Sequence, residues 1–239
     1  MGDAIKMRLF KIILVWLGLT VGTLANAQTP PVAPPAPSPE NILHLQLSTG
    51  GEVTIELRPD KAPGHITRIK TLTRAGFYDG LVFHRVIEGF MAQTGDPTGT
   101  GSGDSPLANL KAEFNDMPHF RGAVSMARTD DPNSANSQFF IVFQPTMRLD
   151  GKYTVFGRVL SGMQYVDAIE RGEPPAAPSK VVKAWLASDG KNAQRVTLVV
   201  PPPSIAEAPA APPAPVVEAP QPEPKKGKKP KKDKKKSKG

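Results

Sequence analysis

Apolar and polar residues alternate over ILHLQL (42–47) and again over EVTIEL (52–57), with STGG between them. A period of two puts every second side chain on one face, so the pattern predicts two half-buried strands joined by a tight turn. The period changes over APGHITRIKTLTRA (62–75), where Ile66, Ile69 and Leu72 recur at helical spacing after an early Pro63 and before Gly76. That predicts a helix with one buried face. The runs LVFHRVI (81–87), GAVSMA (122–127), SQFFIVF (137–143), YTVFGRVL (153–160), VVKAWL (181–186) and RVTLVV (195–200) predict further strands, and MQYVDAIER (163–171) a second, short helix. Many short strands with Gly-rich turns and only two helices indicate a closed β-barrel or a sandwich.

The periodic region occupies about 41–200, an ordinary single-domain size. Outside it the composition changes. QTPPVAPPAPSP leads in from Gln28, and residues 28–40 predict a Pro/Ala-rich linker of extended, polyproline-type chain; 201–224 has the same composition and predicts a second, disordered linker. Residues 225–239 carry ten lysines and one aspartate, which predicts a disordered tail. At the other end, basic residues up to Lys11 precede the apolar run IILVWLGLTVGTL (12–24) and then ANA (25–27). This is the layout of a secretory signal peptide over 1–27, with cleavage expected after Ala27 and a periplasmic or secreted location. The alternative is an uncleaved anchor, for which the run is short against a span of about 20 residues.

Charge follows the same division. Of the net +8, the tail supplies +9 and residues 1–27 supply +2, which leaves −3 for residues 28–224. The basic character belongs to the tail; nucleic-acid binding is chemically possible there, but an exported protein would seldom meet it, and no nucleic-acid partner is expected. The tail suits either a solubilising role or an electrostatic tether to an anionic envelope surface or an acidic protein.

Several chemistries find no support. Cysteine is absent, so no disulfide framework or thiolate is available. The histidines His44, His65, His84 and His119 have no metal-ligand spacing, and no metal or cofactor is expected. GDPTGTGSGD (95–104) lacks the lysine of a phosphate-binding loop and predicts a solvated loop. Ser125, Ser134 and Ser137 lie in no recognisable nucleophile context.

The stretch FHRVIEGFMAQTGD (83–96) is less ordinary. In a strand, Phe83, Arg85 and Ile87 would share one face, with His84 and Val86 on the other. Taken alone, an arginine so placed suits a rim position or an ion pair. Phe90 and Met91 alone suit core, and Gln93 a satisfied strand polar. Together with GAVSMAR (122–128), NSQFFIVF (136–143) and LDGKYTVFGRV (149–159), in that order, the stretch resembles the cyclophilin family of peptidyl-prolyl isomerases, bacterial members most. The resemblance covers essentially all of 41–200.

It implies a closed, eight-stranded antiparallel barrel capped by two helices, acting on proline-containing polypeptides without a cofactor and, by expectation, as a monomer. It makes Arg85 the catalytic arginine, acting with Phe90 and Gln93. Phe90, Met91, Phe140 and Leu149 would hold the proline ring, Gln93 and Gln138 would position the chain, and Tyr153 would close the pocket. Ala127 and Arg128 would lie on the strand that pairs with the peptide. Three departures stand out: Arg148 where many eukaryotic members carry a tryptophan that contacts cyclosporin, Glu88 for a usual proline, and Thr94 for a usual glycine. Weak cyclosporin sensitivity is expected from the first. A β-branched residue at Thr94 would be strained if the turn needs a positive φ there. Three function classes fit the residues: an isomerase assisting the folding of exported proteins, a proline-peptide binding module with little turnover, and an envelope scaffold tethered by its tail.

Overall fold

The computed structural model describes residues 37–200. The expected signal peptide, most of the first linker, the second linker and the lysine tail lie outside the described residues. The linker's last residues are described: Pro39–Asn41 form a 3₁₀ turn at the start of the fold, with the Ser188 N–H donating to the Pro39 carbonyl at 3.2 Å.

The first hairpin lies where the alternation put it, with β1 at Ile42–Leu47 and β2 at Glu52–Leu57, and every second residue buried. Helix α1 spans Pro63–Arg74 and buries Ile66, Ile69 and Leu72 against the sheet, close to β8. Its first turn has no local side-chain cap. Glu113, far along the chain, supplies one: its carboxylate accepts the Gly64 and His65 N–H groups, each at 3.0 Å. Two otherwise orphaned donors are satisfied from a distant loop.

The remaining elements are β3 (Arg85–Ile87), β4 (Met91–Thr94), β5 (Ala123–Met126), β6 (Phe139–Val142), β7 (Val155–Ser161), α2 (Met163–Asp167) and β8 (Val181–Leu186). They form one antiparallel sheet of eight strands in the order β3-β4-β6-β5-β7-β2-β1-β8. The fold is mainly β with two helices, as expected, but closure is less complete than the expected barrel. No ladder joins β3 to β8. The gap is crossed by the single bridge Val82↔Lys180, with the Phe83 N–H on the Ser179 carbonyl and the Val181 N–H on the Leu81 carbonyl, both at 2.8 Å.

Two strand assignments change. RVTLVV forms no strand: Val196 and Val199 are exposed, and the segment is pinned by the Val196 N–H on the Arg74 carbonyl and by Arg195, which donates to Asp79 and to the Thr73 carbonyl. In its place β4 supplies the eighth strand. Every residue of β4, β5 and β6 is buried. One face of these strands lines the interior with Val86, Ala92, Val124, Phe139 and Ile141, and the other lies beneath a second apolar cluster. A strand buried on both faces has no period of two to reveal it. The same geometry corrects the face of Phe83, which precedes β3 and sits in the interior core with Val86 rather than beside Arg85.

Candidate active site

Register assembles the site. Arg85 faces Gln93 across β3 and β4, Gln93 faces Phe140 across β4 and β6, and Phe140 faces Ser125 across β6 and β5. Residues directly opposite in adjacent strands point to the same side, so these four form one row across the outer face of the sheet. A parallel row holds Ile87, Met91 and Val142.

Over these rows lies an apolar cluster of Phe90, Met91, Met117, Ala123, Phe140, Val142, Leu149 and Val155, edged by Ile87, Ala127 and Tyr153. Every apolar residue expected at the site falls in it. Phe90 enters from the turn before β4, Leu149 from the 3₁₀ turn Met147–Leu149, and Tyr153 from the loop after it. The Tyr153 ring meets Phe140 edge-on at 6.0 Å, the Arg128 guanidinium lies 4.5 Å from the Tyr153 ring centre, and that of Arg148 lies 5.2 Å from the Phe90 ring centre.

Polar groups border the cluster. Gln93 Nε2 donates to Gln138 Oε1 at 2.9 Å, and Gln138 Nε2 donates to the carbonyls of Gly101 and Gly103 at 3.1 and 2.9 Å. The glycine-rich loop is therefore anchored rather than merely solvated. Asp96 holds it from within, accepting the Thr98 N–H and hydroxyl. Burial raises the Asp96 pKa, but these and further backbone hydrogen bonds prevail and hold it below the usual carboxylate value.

Arg85 is largely enclosed, its side chain 13 % exposed. Its Nε donates to Glu173 Oε2 at 2.8 Å, while Nη2 is buried without a hydrogen-bond partner among the described residues. Beside Arg85 lies a cavity of about 300 Å³ lined by His84, Gln93, Gly99 to Gly101, Glu173 and Pro174.

Ala127 and Arg128 directly follow β5. β5 ends at Met126, and the Ala127 N–H is taken by the Gln138 carbonyl at 3.0 Å. Arg128 folds back onto its own loops, donating to the carbonyls of Thr129 at 2.6 Å and Lys152 at 2.9 Å. Both lie just past the strand, and the Ala127 hydrogen bond carries the β5–β6 pairing one residue beyond it.

Thr94 is unstrained: it is extended within β4, its hydroxyl donates to the Val82 carbonyl at 2.9 Å, and the positive φ of +93° falls on Gly95. A Cβ at Gly95 would also lie 2.4 Å from the Ser137 carbonyl oxygen, so that position admits only glycine. Glu88 is exposed and pairs with Arg171 at 2.7 Å.

Sequence reasoning did not single out Met117, His119 or Glu173. His119 lies under Phe140, its ring stacked 6.2 Å away, with Nε2 3.1 Å from Ser125 Oγ and Nδ1 2.8 Å from Asp150 Oδ1. This has the connectivity of a serine hydrolase triad, but Ser125 and His119 are wholly buried and the Ser125 hydroxyl donates to the Thr154 carbonyl. No acyl group can reach that oxygen, so the trio supports the floor of the site.

A site of one arginine, two amides and an apolar cluster has no accessible nucleophile and suits a reaction without bond cleavage. The family model for cyclophilin type peptidyl-prolyl cis-trans isomerases matches residues 43–185, more than half of the chain. A probable peptidyl-prolyl cis-trans isomerase of Brucella suis is 44 % identical over 192 residues, 74 % of this chain and 94 % of the relative. Peptidyl-prolyl cis-trans isomerase B of Bacillus subtilis is 43 % identical over 132 residues, 54 % of this chain and 91 % of the relative. Among solved structures, cyclophilin AquaCyp293 from Hirschia baltica superposes with a TM-score of 0.59 at 32 % identity, covering 64 % of this chain and 76 % of that one. A Cryptosporidium parvum cyclophilin-type isomerase, crystallised in the presence of the dipeptide Ala-Pro, gives 0.57 at 26 % identity, covering 61 % and 98 %. By its matched domain, its relatives and its fold, the chain belongs to the cyclophilin-type peptidyl-prolyl cis-trans isomerases.

Proposed function

We propose that this isomerase turns over Xaa-Pro bonds at the Arg85 site and serves the folding of proteins outside the cytoplasm. Rotation about an Xaa-Pro bond is slow because amide resonance is lost as the bond twists, a barrier of about 18–20 kcal/mol. In the twisted state the prolyl nitrogen becomes pyramidal and its lone pair can accept a hydrogen bond that the planar amide scarcely offers. A donor that meets the lone pair only then lowers the barrier selectively.

The observation that carries this reading is the Arg85 side chain, which lines the cavity in the same row as Gln93 and Phe140 and keeps a donor without a hydrogen-bond partner among the described residues. Phe90, Met91, Phe140 and Leu149 hold the proline ring, while Gln93 and Gln138 orient the peptide. The presence of Ala-Pro with the Cryptosporidium relative supports a proline-containing peptide as substrate. A barrier lowered by about 7 kcal/mol corresponds to roughly 10⁵-fold acceleration. The test is the cis-to-trans rate of a short Xaa-Pro peptide with the full chain and with Arg85→Ala. Fast exchange that collapses in the variant supports the assignment, and unchanged turnover in the variant refutes it.

The extracytoplasmic setting rests on the charged, apolar and small-residue layout of 1–27. Cell fractionation with N-terminal sequencing tests it: a mature chain beginning at Gln28 outside the cytoplasm is expected, and a cytoplasmic chain retaining residues 1–27 would refute it. The ten lysines of 225–239 act as a tether to anionic surfaces, each contributing about 1 kcal/mol near such a surface. Binding to anionic vesicles that vanishes at high salt, or on deletion of 225–239, is expected.

A further inference from the structure

We infer that Glu173 is a positioning residue for Arg85, holding the guanidinium so that one edge stays free for the twisting bond; this rests on the reading of Arg85 given above. The contact is built by the backbone. Val86 and Gly172 form an antiparallel bridge, with the Val86 N–H on the Gly172 carbonyl at 2.8 Å and the Gly172 N–H on the Val86 carbonyl at 2.9 Å. In antiparallel register the residue before Val86 meets the residue after Gly172. Arg85 therefore faces Glu173.

Gly172 makes the turn of this loop possible. Its φ is +145°, and a Cβ there would lie 2.6 Å from Pro175 Cα and 2.8 Å from the Pro174 carbonyl oxygen. The loop thus turns back on itself at Pro174 and Pro175, while the two Val86–Gly172 hydrogen bonds hold it to β3 and deliver the Glu173 carboxylate to Arg85 Nε at 2.8 Å. A guanidinium is a rigid planar fork, so a charge-assisted hydrogen bond at Nε fixes the plane of the whole group. What that leaves is Nη2, enclosed and unpartnered. An unsatisfied buried donor is destabilising, and the fold tolerates one beside the cavity, where His84 likewise leaves both ring nitrogens without a partner among the described residues.

An exposed ion pair of no consequence is the competing account, since surface pairs contribute little. Arg85 is mostly enclosed, and the pair lines the cavity shared with His84, Gln93 and Thr100, so the carboxylate acts at the site rather than on the open surface.

The test uses the full chain with Glu173→Ala, Glu173→Gln, Arg85→Ala and the Glu173→Ala/Arg85→Ala double variant. Glu173→Ala should lower kcat on the order of tenfold with KM within about twofold, because the bound peptide is retained while the donor is misplaced. Glu173→Gln, which keeps a neutral acceptor, should recover part of that loss. The Nε–H resonance of Arg85 should lose its hydrogen-bonded shift in Glu173→Ala. Adding Glu173→Ala to Arg85→Ala should cost nothing more. Wild-type turnover in Glu173→Ala beside a collapsed Arg85→Ala would overturn this inference and leave the role of Arg85 standing. An equal fractional loss in both backgrounds would reduce Glu173 to a structural role. Turnover that survives Arg85→Ala would overturn the assignment of Arg85 itself.

Discussion

His119 lies between Asp150 and the sheet, and the two residues are joined twice: the His119 N–H donates to Asp150 Oδ1 at 2.9 Å, and Nδ1 of the ring lies 2.8 Å from the same oxygen. With Ser125 on the far side of the ring, the arrangement resembles a hydrolytic triad sealed inside a domain. Burial decides its role. The chain is expected to release no product from p-nitrophenyl esters and to form no adduct with a fluorophosphonate, as read by intact mass. Ser125→Ala should lower stability by about 1–3 kcal/mol through the polar partners it abandons, with isomerase turnover retained. An adduct on Ser125 would show that the floor opens.

The buried histidines set the acid limit of the fold. Burial lowers the pKa of His65, His84 and His119, and although Glu113 and Asp150 pull His65 and His119 upward, burial prevails. The unfolded chain, with imidazoles near 6.5, then binds more protons than the folded one just below that pH. Stability should begin to fall as pH drops through about 6.5 and continue falling until the lower folded-state values are passed. The partner carboxylates respond later. Burial raises Asp150 and Glu113, but hydrogen bonds from His119, and from His65 and Gly64, leave both below the usual carboxylate value. Their contribution is lost only as pH falls through those lowered values. Urea unfolding between pH 8 and pH 5 should show the first limb. His84 has Asp96 and Arg85 as its charged neighbours and no hydrogen-bond partner for either ring nitrogen among the described residues, so His84→Leu should make that limb shallower while His65 and His119 keep the rest. A stability profile level over that range would contradict the assignment.

How much of this was legible depended on burial geometry. The β1–β2 hairpin, α1 and β8 each bury one side, or carry a period or length that survives in sequence, and their limits were read closely. MAQT carries no period because both of its faces are covered, and RVTLVV looks like a strand but finds no neighbour to pair with. At the site, Phe90, Met91, Phe140, Leu149 and Tyr153 came from the ordered motifs of a family and converge in one cluster. Glu173 did not, because its place beside Arg85 follows from a bridge between Val86 and Gly172, residues far apart in the chain. No local pattern encodes that contact.

Gln138 links the peptide side of the site to the glycine-rich loop. Its amide accepts from Gln93 and donates to two loop carbonyls, so truncation removes three hydrogen bonds at once. Gln138→Ala should cost about 1–3 kcal/mol of stability and lower kcat/KM by roughly 10- to 100-fold, with faster amide exchange confined to residues 98–103. Gln138→Glu keeps the acceptor for Gln93 but loses the donor to the loop. Loop loosening in both variants, with turnover lowered most in Gln138→Ala, would separate the two functions. Unchanged exchange over 98–103 would show that Asp96 alone holds the loop.

Arg148 borders the cluster, its guanidinium 5.2 Å from the Phe90 ring centre. A cation over an aromatic face contributes about 0.5–1 kcal/mol at an exposed site, and a charged guanidinium offers a docking ligand less apolar area than a flat ring. A tryptophan at this position would offer a flat apolar surface instead. If about 100 Å² of it were buried against cyclosporin, the gain would be about 2.5 kcal/mol, on the order of 50-fold in affinity. Inhibition of the natural chain should therefore be weak. Arg148→Trp should tighten it by one to two orders of magnitude while leaving peptide turnover close to its starting value, because Arg85, Gln93 and the floor of the cluster are untouched. Titration of both proteins with cyclosporin in the peptide assay reads the difference directly. Nanomolar inhibition of the natural chain would mean that Arg148 moves aside without cost and that the Phe90 side of the pocket is already complementary to the drug.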